Sequence, residues 1–538
     1  MRGRQRGRRT VTARPAVASS LEPPASRPGE SPDSDDATDL QREQVRGSAL
    51  LMLGRVLALV LGMATQVIIV RTLTKEDFGA FAYALALAGV GRVLLSLGQG
   101  RLLSRFMATY EEQRDYGRMF GAMFLAVGTI LATSVLFIGA LYLFSDALIG
   151  SVVQSDAAVG LVLILVFLSP LEAMDQVFVS LFAVFSKPSA IFFRKHLLAP
   201  GLRLTVVVIL VVSGAGVGFL AVGYVVAALV GLLLYLALLV QVLRERGLLK
   251  ELRPRQITVP FREVFEFSFP LITGELALLS MTVGGVLVLG YFHSAVEVAN
   301  YRAVFSSARL NTAITASFAT LFLPAIARLY ARADIAGLRN SYWHTAAFVA
   351  VFTFPIFALT GPLAPATTVT LFEERYAESA TVLAILAVGY YVNVMLGFNA
   401  YALQVCGRIR YLVYVNVLIA VMNIGLCVLL AERFAAVGIA TANCIALVSQ
   451  NLLNQWALRG SIKSRFIDRQ CIACYAAILG GTAALWVFQL LASPGIVASV
   501  TAAALVSLAV LVCSRQALQL GDTFPELRRI PLVGRFIG

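Results

Sequence analysis

From residue 47 to residue 514 the sequence is one apolar run after another, with only short polar stretches between them. A helix of about 20 apolar residues crosses the hydrocarbon core of a bilayer. Inside that core the backbone must satisfy its own hydrogen bonds, which leaves only helices and closed barrels. Barrel strands alternate apolar and polar residues in segments of about 10, and these runs do not alternate. The chain therefore reads as an all-α polytopic membrane protein. Its charge content agrees: 14% of the 538 residues are charged, against about 25% in soluble domains.

Fourteen transmembrane helices are predicted, near 47–70, 78–100, 118–144, 157–185, 189–212, 217–243, 267–292, 297–325, 340–362, 377–405, 410–430, 435–457, 470–492 and 495–514. Pro170, Pro200, Pro270 and Pro355 fall inside or near the ends of spans, where they bend helices. Loop charges test the count, because basic residues collect in cytoplasmic loops. The even-numbered loops are basic. They carry Arg101, Arg105, Arg114 and Arg118; then Lys187, Arg194 and Lys195; then Arg244, Arg246, Lys250, Arg253, Arg255 and Arg262; and the pattern continues to Arg528, Arg529 and Arg535 after the last span. The odd-numbered loops are poor in Lys and Arg, and the one after span 9, "FEERYAES", is acidic. The first loop is the exception, with Arg71 and Lys75 beside Glu76 and Asp77. This parity places both termini in the cytoplasm.

A shift of 220 residues lays span 1 on span 7 and span 6 on span 12. It matches Gly54/Gly274, Tyr110/Tyr330, Gly117/Gly337, Ala215/Ala435 and Gly218/Gly438 without a gap. We read two parallel six-helix bundles plus two C-terminal helices outside the repeat. Such repeats put a substrate site at their interface. The expected boundaries are a cytoplasmic tail at 1–46, an N-terminal bundle at 47–243, a linker at 244–266, a C-terminal bundle at 267–457, helices 13 and 14 at 458–514, and a cytoplasmic C-terminal tail at 515–538. The first tail joins a basic "MRGRQRGRRT" to an acidic, Pro- and Ser-rich stretch. Such a composition cannot bury a core and is expected to be disordered.

Ionisable residues inside a membrane are functional hypotheses by default. Here they are Arg55 (span 1), Arg92 (span 2), Glu172 and Asp175 (span 4), Glu275 (span 7), and Arg302 and Arg309 (span 8), with Arg203 in span 5 as a secondary candidate. Arg55 plus 220 is Glu275, so the repeat puts opposite charges at one place in the two halves. They either pair or flank one path. Arg302 and Arg309 are two helical turns apart and share a face. Arg92 sits deep in span 2 or snorkels to the interface. Glu172 and Asp175 share a face of span 4. Paired carboxylates suit a proton or sodium site, or they neutralise the arginines of a cavity. The asparagines of the second half, among them Asn393, Asn399, Asn416, Asn423, Asn443 and Asn451, are suited to bonding helix to helix.

The formal charge of +14 belongs to the cytoplasmic loops rather than to a nucleic-acid surface. The six cysteines lie in or beside apolar runs, and "CIAC" (471–474) has no second ligand pair. The three histidines, His196, His293 and His344, are scattered. No metal, nucleotide or nucleophile motif is present, so no catalytic residue, metal or cofactor is expected.

The opening of the first half resembles a known family. Gly54-Arg55, the turn Arg71-Thr72-Leu73, Asp77-Phe78-Gly79 and Leu97-Gly98 are similar to the start of polysaccharide flippases of the multidrug/oligosaccharidyl-lipid/polysaccharide (MOP) exporter superfamily. "FSFPLI" (267–272) resembles the opening of that family's second half. The resemblance implies fourteen helices in two bundles, a V-shaped central cavity and alternating access. It also implies that flippases of lipid-linked sugars have basic cavities, and that exporters of cationic drugs use acidic ones. Arg55 and Arg92 stand at positions resembling the family's cavity arginines, while Glu275 and the Glu172/Asp175 pair depart from that pattern.

The expectation is a flippase of the cytoplasmic membrane that moves polyprenyl-pyrophosphate-linked oligosaccharide. Arg55, Arg92, Arg302 and Arg309 would hold the pyrophosphate, since guanidinium forks match phosphate oxygens. Glu172, Asp175 or Glu275 would carry a proton or sodium ion. The alternative is a multidrug or cation antiporter of the same fold; a membrane polymerase or acyltransferase, or a scaffold for a synthase complex, ranks behind both. A monomer is expected, with membrane lipid around it and polysaccharide polymerase and glycosyltransferases as its functional neighbours.

Overall fold

The computed structural model describes residues 34–96, 99–144, 156–185, 192–251, 257–261, 275–462, 469–515 and 518. The "FSFPLI" segment with Pro270, the loop cations Lys187, Arg253, Arg255 and Arg262, most of the expected N-terminal tail, and Arg528, Arg529 and Arg535 lie outside the described residues. The chain divides into two units, Met1–Ala49 and Leu50–Gly538. The second holds nearly all of the helices.

Every regular element among the described residues is helical. Helix α1 spans Ser34–Thr72 and so begins upstream of residue 47, where the sequence placed its start. It is followed by α2 (Lys75–Ser96), α3 (Gln99–Glu112), α4 (Tyr116–Leu143), α5 (Asp156–Leu165) and α6 (Leu168–Val184). A π-helical segment, Phe192–Leu198, leads into α7 (Ala199–Ser213), then α8 (Val217–Glu245). Beyond residue 275 come α9 (Gly285–Phe292), α10 (Ala295–Ala308), α11 (Leu310–Ala331), α12 (Ile335–Thr360), α13 (Ala364–Phe372), α14 (Ser379–Leu396), α15 (Phe398–Val405), α16 (Ile409–Ser461), α17 (Arg469–Ala492) and α18 (Ile496–Ser514).

Local chemistry sets several of the helix starts. Thr74 and Asp77 form a reciprocal cap on α2: the Asp77 backbone N–H donates to Thr74 Oγ1 at 3.1 Å, and the Thr74 hydroxyl donates to the Asp77 carboxylate at 2.8 Å. Asp115 and Asp334 accept from backbone N–H groups in the first turns of α4 and α12, at 3.0 and 2.8 Å. Pro355 sits inside α12, Pro200 is in the first turn of α7, and Pro324 lies inside α11.

Twelve helices among the described residues are long and apolar enough to cross a membrane, or thirteen if the bent pair Ala295–Ala319 and Phe322–Ala331 is one span. Fourteen runs are read from the sequence, and the bent pair and α16 account for the difference. The 53 residues of α16 would make a straight rod of about 80 Å. They do not, because Ala435 has non-helical backbone angles (φ 43°, ψ −127°) and the helix doubles back. Tyr411 donates its hydroxyl to the Leu453 carbonyl at 2.7 Å, and Gln450 donates to Asn416 at 2.8 Å, so the two arms run antiparallel.

The asparagines act as helix-to-helix ties. Asn443 donates to the Tyr301 hydroxyl at 2.7 Å, Asn423 to the Ser280 carbonyl at 3.2 Å, and Asn451 to Asn393 at 3.1 Å. Helix α2 is among the most buried and packs along α10, joining the first and second halves. The contact is closest at Gly79, where a Cβ would fall 1.8 Å from the Ala295 carbonyl oxygen. Only glycine fits there.

Candidate functional site

Two cavities carry six of the seven candidate charges. The first, of about 460 Å³, is built mainly on α6, with the π-helical segment, α7 and α8 around it and Arg92 reaching in from α2. One face of α6 presents Glu172 and Asp175 to it. Glu172 is shared by two arginines from neighbouring helices: Arg203 of α7 at 2.9 Å and Arg92 of α2 at 3.5 Å. Asp175 takes Arg194 at 2.7 Å.

By sequence alone Arg194 is a loop cation. It is instead a buried residue, 5% exposed, in the π-helical segment before α7. Its Nε donates to the Gly231 carbonyl at 2.9 Å, and its guanidinium lies 4.9 Å from the Tyr235 ring centre. Gly231 makes room for it, since a Cβ there would lie 2.4 Å from the guanidinium. Lys195 and Glu275 line the same cavity, giving four cations against three carboxylates. The sequence offered one signal for these partners. Two acids on one face of span 4 call for nearby cations, and span 5 supplies Arg194, Lys195 and Arg203.

The second cavity, of about 340 Å³, lies between α1 and the α10–α11 junction. Arg302 and Arg309 line it with Phe305 between them, facing Leu59 and Met63 of α1. Both guanidiniums rest on the Phe305 ring, at 5.1 and 5.3 Å, and Arg309 also sits 5.8 Å from the Tyr390 ring. Among the described residues neither has a carboxylate within ion-pair distance.

The structure does not pair Arg55 with Glu275. Arg55 is exposed on α1, donates to the Ala316 carbonyl of α11 at 3.3 Å, and lines neither cavity. So the seven candidates fall into three groups: Arg92, Glu172, Asp175 and Glu275 in the first cavity, Arg302 and Arg309 in the second, and Arg55 apart from both.

Residues 44–330, more than half of the chain, match the family described as polysaccharide biosynthesis protein. The chain belongs to that family. No curated protein matches it by sequence. Among solved structures it is similar to the lipid II flippase MurJ in an inward closed conformation, with a TM-score of 0.67 and 14% identity, covering 90% of this chain and 99% of that one. It is also similar to a multidrug resistance MATE family transporter of the MOP superfamily in an inward-facing conformation (TM-score 0.59, 16% identity, 77% and 99% covered). A Vibrio cholerae MATE transporter, VcmN, is a third such structure (0.53, 13%, 80% and 98%). At these identities the likeness is one of fold. The family and the apolar helices make the chain a multi-pass membrane protein with a flippase-type fold.

Proposed function

We propose that this protein is a flippase that carries a polyprenyl-pyrophosphate-linked oligosaccharide across the cytoplasmic membrane by alternating access. Counting the doubled-back α16 as two spans and the bent pair as one, this reading has fourteen crossings with both termini in the cytoplasm. The observation that carries it is the second cavity. Two arginines held seven residues apart, without an acidic partner among the described residues, form a seat for an anion with two phosphate groups. A cationic drug would find like charge there. In the first cavity Glu172 and Asp175 are already engaged by arginines, which counts against the antiporter reading.

The first cavity has a different part in the proposal. Arg92 meets the pyrophosphate by exchanging Glu172 for it, and Glu172, Asp175 or Glu275 takes up a proton or sodium ion. Purified protein in liposomes with a fluorescent polyprenyl-pyrophosphate oligosaccharide tests the function. Time-dependent protection from an impermeant quencher is expected, and it should be lost in Arg302→Ala with Arg309→Ala. Full flipping by that double variant would remove the second cavity from the mechanism.

A further inference from the structure

Arg71 and Lys75 broke the charge parity of the loops, and the structure gives Arg71 a partner far along the chain. Arg71 lies in the last turn of α1. Its Nε donates to the Leu371 carbonyl at 3.0 Å, and its terminal nitrogen donates to that of Thr370. Those are last-turn carbonyls of α13. Arg375, just beyond α13, does the reverse. It donates to the carbonyls of Leu73 at 2.9 Å, Val70 at 2.6 Å and Arg71 at 2.8 Å, at the end of α1.

The last four carbonyls of a helix lack partners within it and carry partial negative charge. Each helix end is thus capped by the arginine of the other. Three further contacts reinforce the arrangement. Glu373 pairs with Arg375 at 3.1 Å while holding φ 71°, a backbone region rarely occupied by residues other than glycine. The Lys75 ammonium sits 5.1 Å from the Tyr376 ring centre. One turn further along α2, Gly79 meets Ala295. All of this lies at the end that the loop charges assign to the outside. Arg92, near the opposite end of α2, lines the first cavity.

We propose that Arg71 and Arg375 form a two-way clasp that holds the outer ends of the two halves shut and must release before the cavities open outward. The release step rests on the transport reading above; the clasp as a closure does not. The test places spin labels through Thr72→Cys and Glu374→Cys, both exposed positions, in the full chain with its six cysteines replaced, in lipid nanodiscs. Dipolar broadening between the labels reads their proximity. Strong broadening is expected with both arginines present, and its loss in Arg71→Ala with Arg375→Ala. Arg375→Lys, which keeps the charge without the fork, should lose part of it. Because Arg375→Lys is the milder change, it decides the matter if the double variant does not fold.

A second readout is a single cysteine at Met63, in the second cavity. Its labelling by an impermeant thiol reagent added from outside should rise severalfold in the alanine variants. Unchanged broadening and unchanged labelling would overturn the clasp. Loss of broadening in a protein that never flips lipid-linked sugar would support the clasp and count against the transport reading.

Discussion

The two cavities hold similar numbers of arginines and treat them in opposite ways. Arg92 and Arg203 share Glu172, and Arg194 is spent on Asp175. Among the described residues Arg302 has only the face of Phe305, and Arg309 those of Phe305 and Tyr390. A charge taken out of water costs several kcal/mol unless a partner repays it, and a cation–π contact returns roughly 0.5–2 kcal/mol. The first cavity has therefore met its electrostatic cost within the protein. The second has not, and the missing term is one that a bound anion would supply. Charge type alone does not separate a binding arginine from a structural one; the partner does.

The largest effect that this contrast predicts is at the second cavity. A hydrogen bond to a charged group is worth about 1.5–3 kcal/mol, so Arg302→Ala with Arg309→Ala should weaken pyrophosphate binding at least a hundredfold. Titration calorimetry with inorganic pyrophosphate measures it. The matching double change in the first cavity, Arg92→Ala with Arg203→Ala, should cost much less. Equal losses would erase the distinction between the cavities.

The next effect is on stability. Asp175→Ala strands the buried Arg194 guanidinium, and breaking a buried pair from one side costs about 3–5 kcal/mol. Arg194 keeps the Gly231 carbonyl and the Tyr235 face, which brings the expected loss to about 2 kcal/mol. Thermal unfolding in detergent should show it. Glu172→Gln is expected to cost less than about 1 kcal/mol, as its pairs are partly exposed. It should also free Arg92 and Arg203 and tighten pyrophosphate binding severalfold, which no structural role for Glu172 would produce.

The all-helical, many-span class was legible because membrane physics writes it in composition: the length of each apolar run follows from the thickness that a helix must cross. The 220-residue shift pairs Ala215, in the turn between α7 and α8, with Ala435, where α16 doubles back. Partners were not legible. Arg194 read as a loop cation because nothing in the sequence says that Gly231 leaves it room. Arg55 and Glu275 are equivalent by the repeat, yet the structure sets them apart, since equivalence in two halves fixes a register and not a contact. Arg71 looked like a breach of charge parity, whereas its geometry caps a helix end three hundred residues away in sequence.

Arg55 is where the smallest effect is expected. Its bond to the Ala316 carbonyl is long, at 3.3 Å, and its side chain is exposed. Its place on α1 still matters. Leu59 and Met63 line the second cavity, and Arg55 lies one turn before Leu59 on the same face. Ala316 likewise follows Ala313, which lines that cavity too. Arg55 thus stands at the edge of the Arg302/Arg309 seat rather than in it, where a cation aids capture more than it holds what is captured. Arg55→Ala should raise the lipid-substrate density needed for half-maximal flipping by up to about tenfold, the worth of one net hydrogen bond, and leave the saturating rate unchanged. Arg55→Lys should restore it, since steering asks only for charge. A fall in the saturating rate with no rescue by lysine would move Arg55 into the seat itself, and the second cavity would then extend along α1 toward Arg55.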